Sequence, residues 1–183
     1  MDIQQQLRNL NLGLNSSLNS TDLKHFTEVF KNTKDDDSDI ILLIKVSGIA
    51  NLRQFEDRIS SFLYPSTNLV DYDTVLPSVI SCLFYAWGLW EKYYDQLNDI
   101  LFGEYDKFLY TTNSQSWTKY CILSEYLRYL RDEDNSTKIA KRIIASLQKI
   151  KLNRSSYSND VTCSNIWEDL RKIYPEVCKK YNL

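Results

Sequence analysis

From Thr74 to Trp90 the chain runs for seventeen residues without an Asp, Glu, Lys or Arg. A helix with no charged side belongs either to the centre of a larger helical protein or to a membrane, because it offers water no polar stripe. Seventeen residues is the short limit for crossing a bilayer. The run also contains Pro77, Ser78, Ser81 and Gly88, and no Lys/Arg cluster flanks it as the anchors of a span would. The expectation is therefore a largely apolar central helix over residues 74–97, with Pro77 tolerated in its first turn. The rest of the chain must then supply a shell around it.

That shell reads as helical. Four Gly and three Pro in 183 residues are too few for the many tight turns of an all-β fold. Apolar residues recur at spacings of three and four: Leu23, Phe26, Val29 and Phe30; then Leu52, Phe55, Ile59, Phe62 and Leu63. Tyr94, Leu97, Ile100, Leu101, Tyr105 and Phe108 continue the pattern, bent at Gly103, as do Trp117, Tyr120, Leu123, Leu127 and Leu130, and later Ile166, Trp167, Leu170 and Ile173. Ser20 or Thr21 is the expected cap of the first of these helices, Ser114 or Ser116 of the one carrying Trp117, and Ser136 of the one after it. The segment Ile40–Val46 is branched and short enough for a strand. No second strong strand exists to satisfy its backbone, so it is read as helix, interrupted at Gly48.

The fold class expected is all-α, a compact multi-helix bundle of about seven or eight helices, sequential neighbours packing antiparallel through short loops. Residues 1–19 read as an N-terminal arm or weak helix, and 20–183 as a single helical domain. A chain of this length buries roughly 70% of its unfolded surface and needs no cross-links to hold a core.

Cysteine and charge narrow the function. Cys82, Cys121, Cys163 and Cys178 form no C-x-x-C pair and match no zinc spacing, which points to free thiols in a reducing compartment. The N-terminus lacks the basic and apolar regions of a secretory signal. An intracellular location, nucleus or cytoplasm, follows as the expectation. Residues 1–100 hold eight Lys/Arg against fourteen Asp/Glu, and 101–183 hold fourteen against ten, so the charge is split along the chain.

Chemical motifs are scarce. His25 is the one histidine, with Asp22 and Glu28 three residues to either side. No nucleophile accompanies them, so a surface histidine in a salt-linked helix is the better reading. The acids Asp35, Asp36, Asp37 and Asp39 lack EF-hand spacing, since the sixth position from Asp35 is Ile40 where that loop needs Gly. Neither phosphate-cradling glycine motif occurs. No catalytic residue, cofactor or metal is expected.

Two features suggest surfaces. The helix from Thr137 to Leu152 sets Ile139, Ile143, Leu147 and Ile150 on one stripe and Lys138, Lys141, Arg142 and Lys149 on or beside the opposite face, with no acid between Asp134 and Asp160. The aromatic residues Trp87, Trp90, Tyr94, Tyr126 and Tyr129 are candidates for a partner-binding patch, although most rings in such a chain belong to the core. The leading expectation is a non-catalytic helical interaction or scaffold subunit of a multiprotein complex, partnered by other protein subunits. One alternative is a nucleic-acid-associated protein using the basic helix 137–154. It is weakened by the absence of aromatics among those lysines and by a net charge of −2. The other is a membrane-associated regulator acting through residues 74–90.

Overall fold

A computed structural model describes residues 18–64, 72–103, 112–152 and 161–183. Nine α-helices and no strand occur among them, and the protein is all-α. They are α1 (Ser20–Asn32), α2 (Asp39–Ile49), α3 (Glu56–Ser61), α4 (Tyr72–Ile80), α5 (Trp90–Leu101), α6 (Thr112–Asp132), α7 (Lys138–Leu152), α8 (Val161–Ile173) and α9 (Pro175–Lys180). A 3₁₀ turn, Arg53–Phe55, leads into α3, and a π-helical segment, Ser81–Ala86, follows α4. Residues 1–17 of the expected arm, Tyr105, Phe108 and the loop 153–160 lie outside the described residues.

The chain divides into two compact units, Met1–Leu89 and Trp90–Leu183. The boundary falls inside the segment 74–97 that reads as one central helix. That segment is instead α4, the π turn and α5, separated at Trp87–Leu89. The cause is local. Gly88 takes φ +65, a conformation that ends a helix and that side chains disfavour. Pro77 lies in the second turn rather than the first, because α4 begins at Tyr72.

In the first unit, Phe26, Phe30 and Phe55 form an edge-packed cluster with centroids 4.5–5.9 Å apart. Ile40, Leu43, Ile44, Ile59, Leu63, Leu76, Val79 and Leu83 complete the interior. The segment 40–46 is helical, as its lack of a strand partner requires. Gly48 does not interrupt α2; it lies inside it. A Cβ there would sit 3.3 Å from Cys82 Sγ and 3.4 Å from Ala86 Cβ, so the missing side chain lets α2 approach the π turn. Burial pushes the Cys82 thiol up to about 12, which makes it a small hydrophobe rather than a nucleophile. The cap of α1 is Asn19, not Ser20 or Thr21: its Oδ1 accepts from Asp22 N at 2.9 Å.

In the second unit, α5, α6 and α7 pack through Trp90, Tyr94, Leu97, Tyr126, Leu127, Leu130, Ile143 and Leu147, while α8 and α9 pack on α6. The helix α6 starts at Thr112, so Ser114 and Ser116 lie within it and neither caps it. The α6–α7 loop is built by side chains. Asp134 accepts from Ser136 N (2.9 Å) and Ser136 Oγ (2.7 Å), and Thr137 Oγ1, rather than Ser136, accepts from Ala140 N at 3.1 Å to cap α7.

Candidate functional site

The five aromatic residues singled out as a partner patch are interior. Trp87 belongs to the first unit, where Arg53 lies 5.2 Å over its ring and donates to its carbonyl at 2.7 Å. Trp90, Tyr94, Tyr126 and Tyr129 belong to the second. Trp90 packs on Tyr129 at 4.6 Å, and Tyr94 stacks on Tyr126 at 5.8 Å and 13°. None of the five is more than 8% exposed. Trp90, Tyr94, Tyr126 and Tyr129 fall on the buried side of their helices and Trp87 is buried just past the π turn, where a large ring removes much apolar area from water. The expectation of a surface patch at these positions is corrected accordingly.

The exposed apolar side chains are others. Trp117 on α6 is 53% exposed and lies flat on Tyr120, with centroids 5.6 Å apart and planes 12° from parallel. Partial burial pushes the Tyr120 hydroxyl up, assisted by Asp169 and Tyr174, and this places the stack beside α8. On that helix Ile173, one turn beyond Asp169, is also half exposed. The sequence pattern places Trp117 and Ile173 on apolar faces and gives no means of telling interior from surface. Tyr85 and Ile49 are exposed in the first unit.

The basic helix is present, but its four candidate residues differ. Lys138, Lys141 and Lys149 are exposed. Arg142 is partly buried, pairs with Asp95 of α5, and stacks over Tyr94 at 4.1 Å, so its charge is already engaged. Lys149 lies 4.1 Å over the Phe102 ring. Arg154 and the side chain of Lys151 lie outside the described residues.

Beneath this helix is a buried polar cluster. Tyr94 OH and Ser146 Oγ are 2.8 Å apart, and Ser146 Oγ donates to Asn98 Oδ1 at 2.7 Å. Burial raises the Tyr94 hydroxyl, while its bond to Ser146 opposes the shift. Tyr126 is fully buried and its hydroxyl is held well above the ordinary range by burial. It lies near Tyr94 OH, yet no hydrogen bond of good geometry satisfies it among the described residues.

His25 and Glu28 are exposed on α1 and, with Asp37, border an open surface depression. Asp22 is drawn away to Asn19, whose Nδ2 donates to it at 2.6 Å. In the acidic loop, Asp35 pairs with Arg58 at 2.8 Å and Asp37 accepts from Asp39 N. Among the described residues no group of three His, Cys, Asp or Glu side chains is placed to hold a metal ion, and no helix is long and apolar enough to cross a membrane. Comparison with protein-family models, with curated proteins and with solved structures finds no match for this chain.

Proposed function

We propose that this chain is a non-catalytic helical interaction subunit of a multiprotein assembly, and that Trp117 is an anchor for a protein partner. The half-exposed, stacked indole carries this reading. A Trp side chain presents up to roughly 250 Å², so burying the exposed half on a partner is worth up to about 3 kcal/mol. The flat contact with Tyr120 already holds the ring, so binding loses little side-chain freedom. Tryptophan and tyrosine in such positions are the residue types that dominate interface energetics. Ile173 offers a further apolar surface on the neighbouring helix.

The nucleic-acid alternative is less well supported than the sequence suggests, because Arg142 is engaged by Asp95 and Tyr94. The test of the leading reading is sizing of the tagged full-length chain from native extract, alongside Trp117→Ala. The wild type is expected to elute well above its own 21.6 kDa and the variant to shift toward the monomer, with unchanged helicity. A strictly monomeric wild type with no co-purifying protein overturns the proposal. An assembly indifferent to Trp117→Ala removes this anchor.

A further inference from the structure

A second surface in the same unit uses none of the Trp117 residues. The helix α7 contains no carboxylate in its fifteen residues. Among its described side chains, Lys138, Lys141, Ala145, Gln148 and Lys149 are the exposed ones and fall within an arc of about 100° at 3.6 residues per turn. The opposite arc, Ile139, Ala140, Ile143, Ser146 and Leu147, is buried. The arc is therefore cationic, with a methyl group at its centre. Ala145 has Lys141 one turn before it and Lys149 one turn after, so a partner backbone can come close at the middle while its side chains reach an ammonium on either side. Lys149 is steadied over the Phe102 ring, which reduces the rotamer freedom lost when an anion binds.

The surroundings limit the width of what can sit there. Glu91, Asp95 and Asp99 are exposed at every fourth residue of α5, and the Asp95–Arg142 pair sets this acidic row along the flank of α7. Asp132, Glu133 and Asp134 are exposed just ahead of the first turn of α7. Hydrogen bonding from Arg131 holds the Asp132 carboxyl below its ordinary value, and bonding from Ser136 does the same for Asp134, so both stay charged. A nucleic-acid duplex or a bilayer extends beyond a single helix face and would press its phosphates against these carboxylates. A lone helix is about 10–12 Å across and meets the lysines without covering the acids.

We propose that the exposed face of α7 docks a single acidic helical segment of a partner protein, with Asp or Glu at one-turn spacing and a small residue over Ala145. The probe is a labelled Ala-based helical peptide bearing Glu at every fourth position, titrated against the full-length protein. A DNA duplex and phosphatidylserine vesicles are titrated at the same salt. The peptide is expected to bind with an affinity that falls as salt rises, and to bind more tightly than duplex or vesicle. The triple variant Lys138→Glu, Lys141→Glu, Lys149→Glu is expected to weaken it by about tenfold or more, since three exposed charge pairs become repulsive. Its Lys→Gln counterpart, which keeps the helix propensity, is expected to weaken it less but measurably. Ala145→Gln, which changes no charge, is expected to weaken it by obstructing close approach. Reversing the exposed Lys24 and Lys31 of α1 is expected to leave it unchanged. Failure of the peptide to bind, or equal binding by the triple variants, overturns the proposal. Tighter binding of duplex or vesicles through the same lysines also overturns it and assigns the face to phosphate. None of these outcomes depends on Trp117.

Discussion

Tyr94→Phe and Tyr126→Phe each delete one oxygen from the interior of the second unit, and the two deletions are expected to change stability in opposite directions. The Tyr94 hydroxyl is bonded to Ser146 at 2.8 Å, with Asn98 Oδ1 a longer contact at 3.4 Å. Removing a satisfied bond of this kind costs about 0.5–1.5 kcal/mol. The loss belongs at the lower end of that range, because Ser146 retains Asn98 at 2.7 Å and is not left bare. The Tyr126 hydroxyl is fully buried and, among the described residues, has only the Tyr94 hydroxyl near it and no bond of good geometry, so the folded state bears a desolvation penalty of about 1–3 kcal/mol that Phe does not. The ring contributions cancel. Phe keeps the stacked geometry at 5.8 Å and, at position 94, keeps a face for the Arg142 guanidinium. Tyr126→Phe should therefore stabilise by about 1 kcal/mol or more and Tyr94→Phe destabilise by about 0.5, a separation of roughly 1.5 kcal/mol or more. Urea unfolding of the full-length chain, followed by tryptophan fluorescence, measures this, since Trp90 lies 6.1 Å from Tyr126. If Tyr126→Phe destabilises as much as Tyr94→Phe, the hydroxyl is satisfied in solution and the reasoning fails.

Gly88→Ala should lower stability by about 1–2 kcal/mol through backbone strain alone, because φ is +65 and nothing lies within 4 Å of the added methyl. Gly88→Asn, which tolerates that conformation better, should recover part of the loss in the same thermal melts. Asp132 and Asp134 should titrate below 3.8 by NMR, the bonds from Arg131 and Ser136 favouring the charged forms. Their folded-state values are depressed, so their contribution to stability is fully present above the unfolded value and is lost as pH falls through the lower folded value. Melts between pH 5 and 7 should show no change from these two groups, and midpoints at or above 3.8 would contradict the loop geometry.

Which helices form was largely legible because the signal is local. Apolar spacing identified α1, α3 and α5 to α8. For Ile40–Val46 the absence of a strand partner decided the matter, since an unpaired strand leaves backbone groups unsatisfied. Helix ends were less legible. Asn19 and Thr137 cap where neighbouring Ser and Thr residues looked equally suitable, because capping depends on the backbone geometry of one residue. The break at Gly88 was visible as a glycine, but nothing in the pattern fixed its positive φ.

The surface candidates show the limit most clearly. Trp87 and Trp117 are the same residue type, each among apolar residues in the sequence, yet one is 4% and the other 53% exposed. Lys141 and Arg142 are adjacent, yet only the arginine meets a carboxylate and a ring from another helix. By itself the sequence determined helical type and the inward stripe of each helix, because hydrogen bonding and periodicity act within a few residues. Tertiary structure alone decided which rings remain in water, which cations are already paired and where the two units divide. Those properties depend on which distant side chains meet, and no local spacing encodes that.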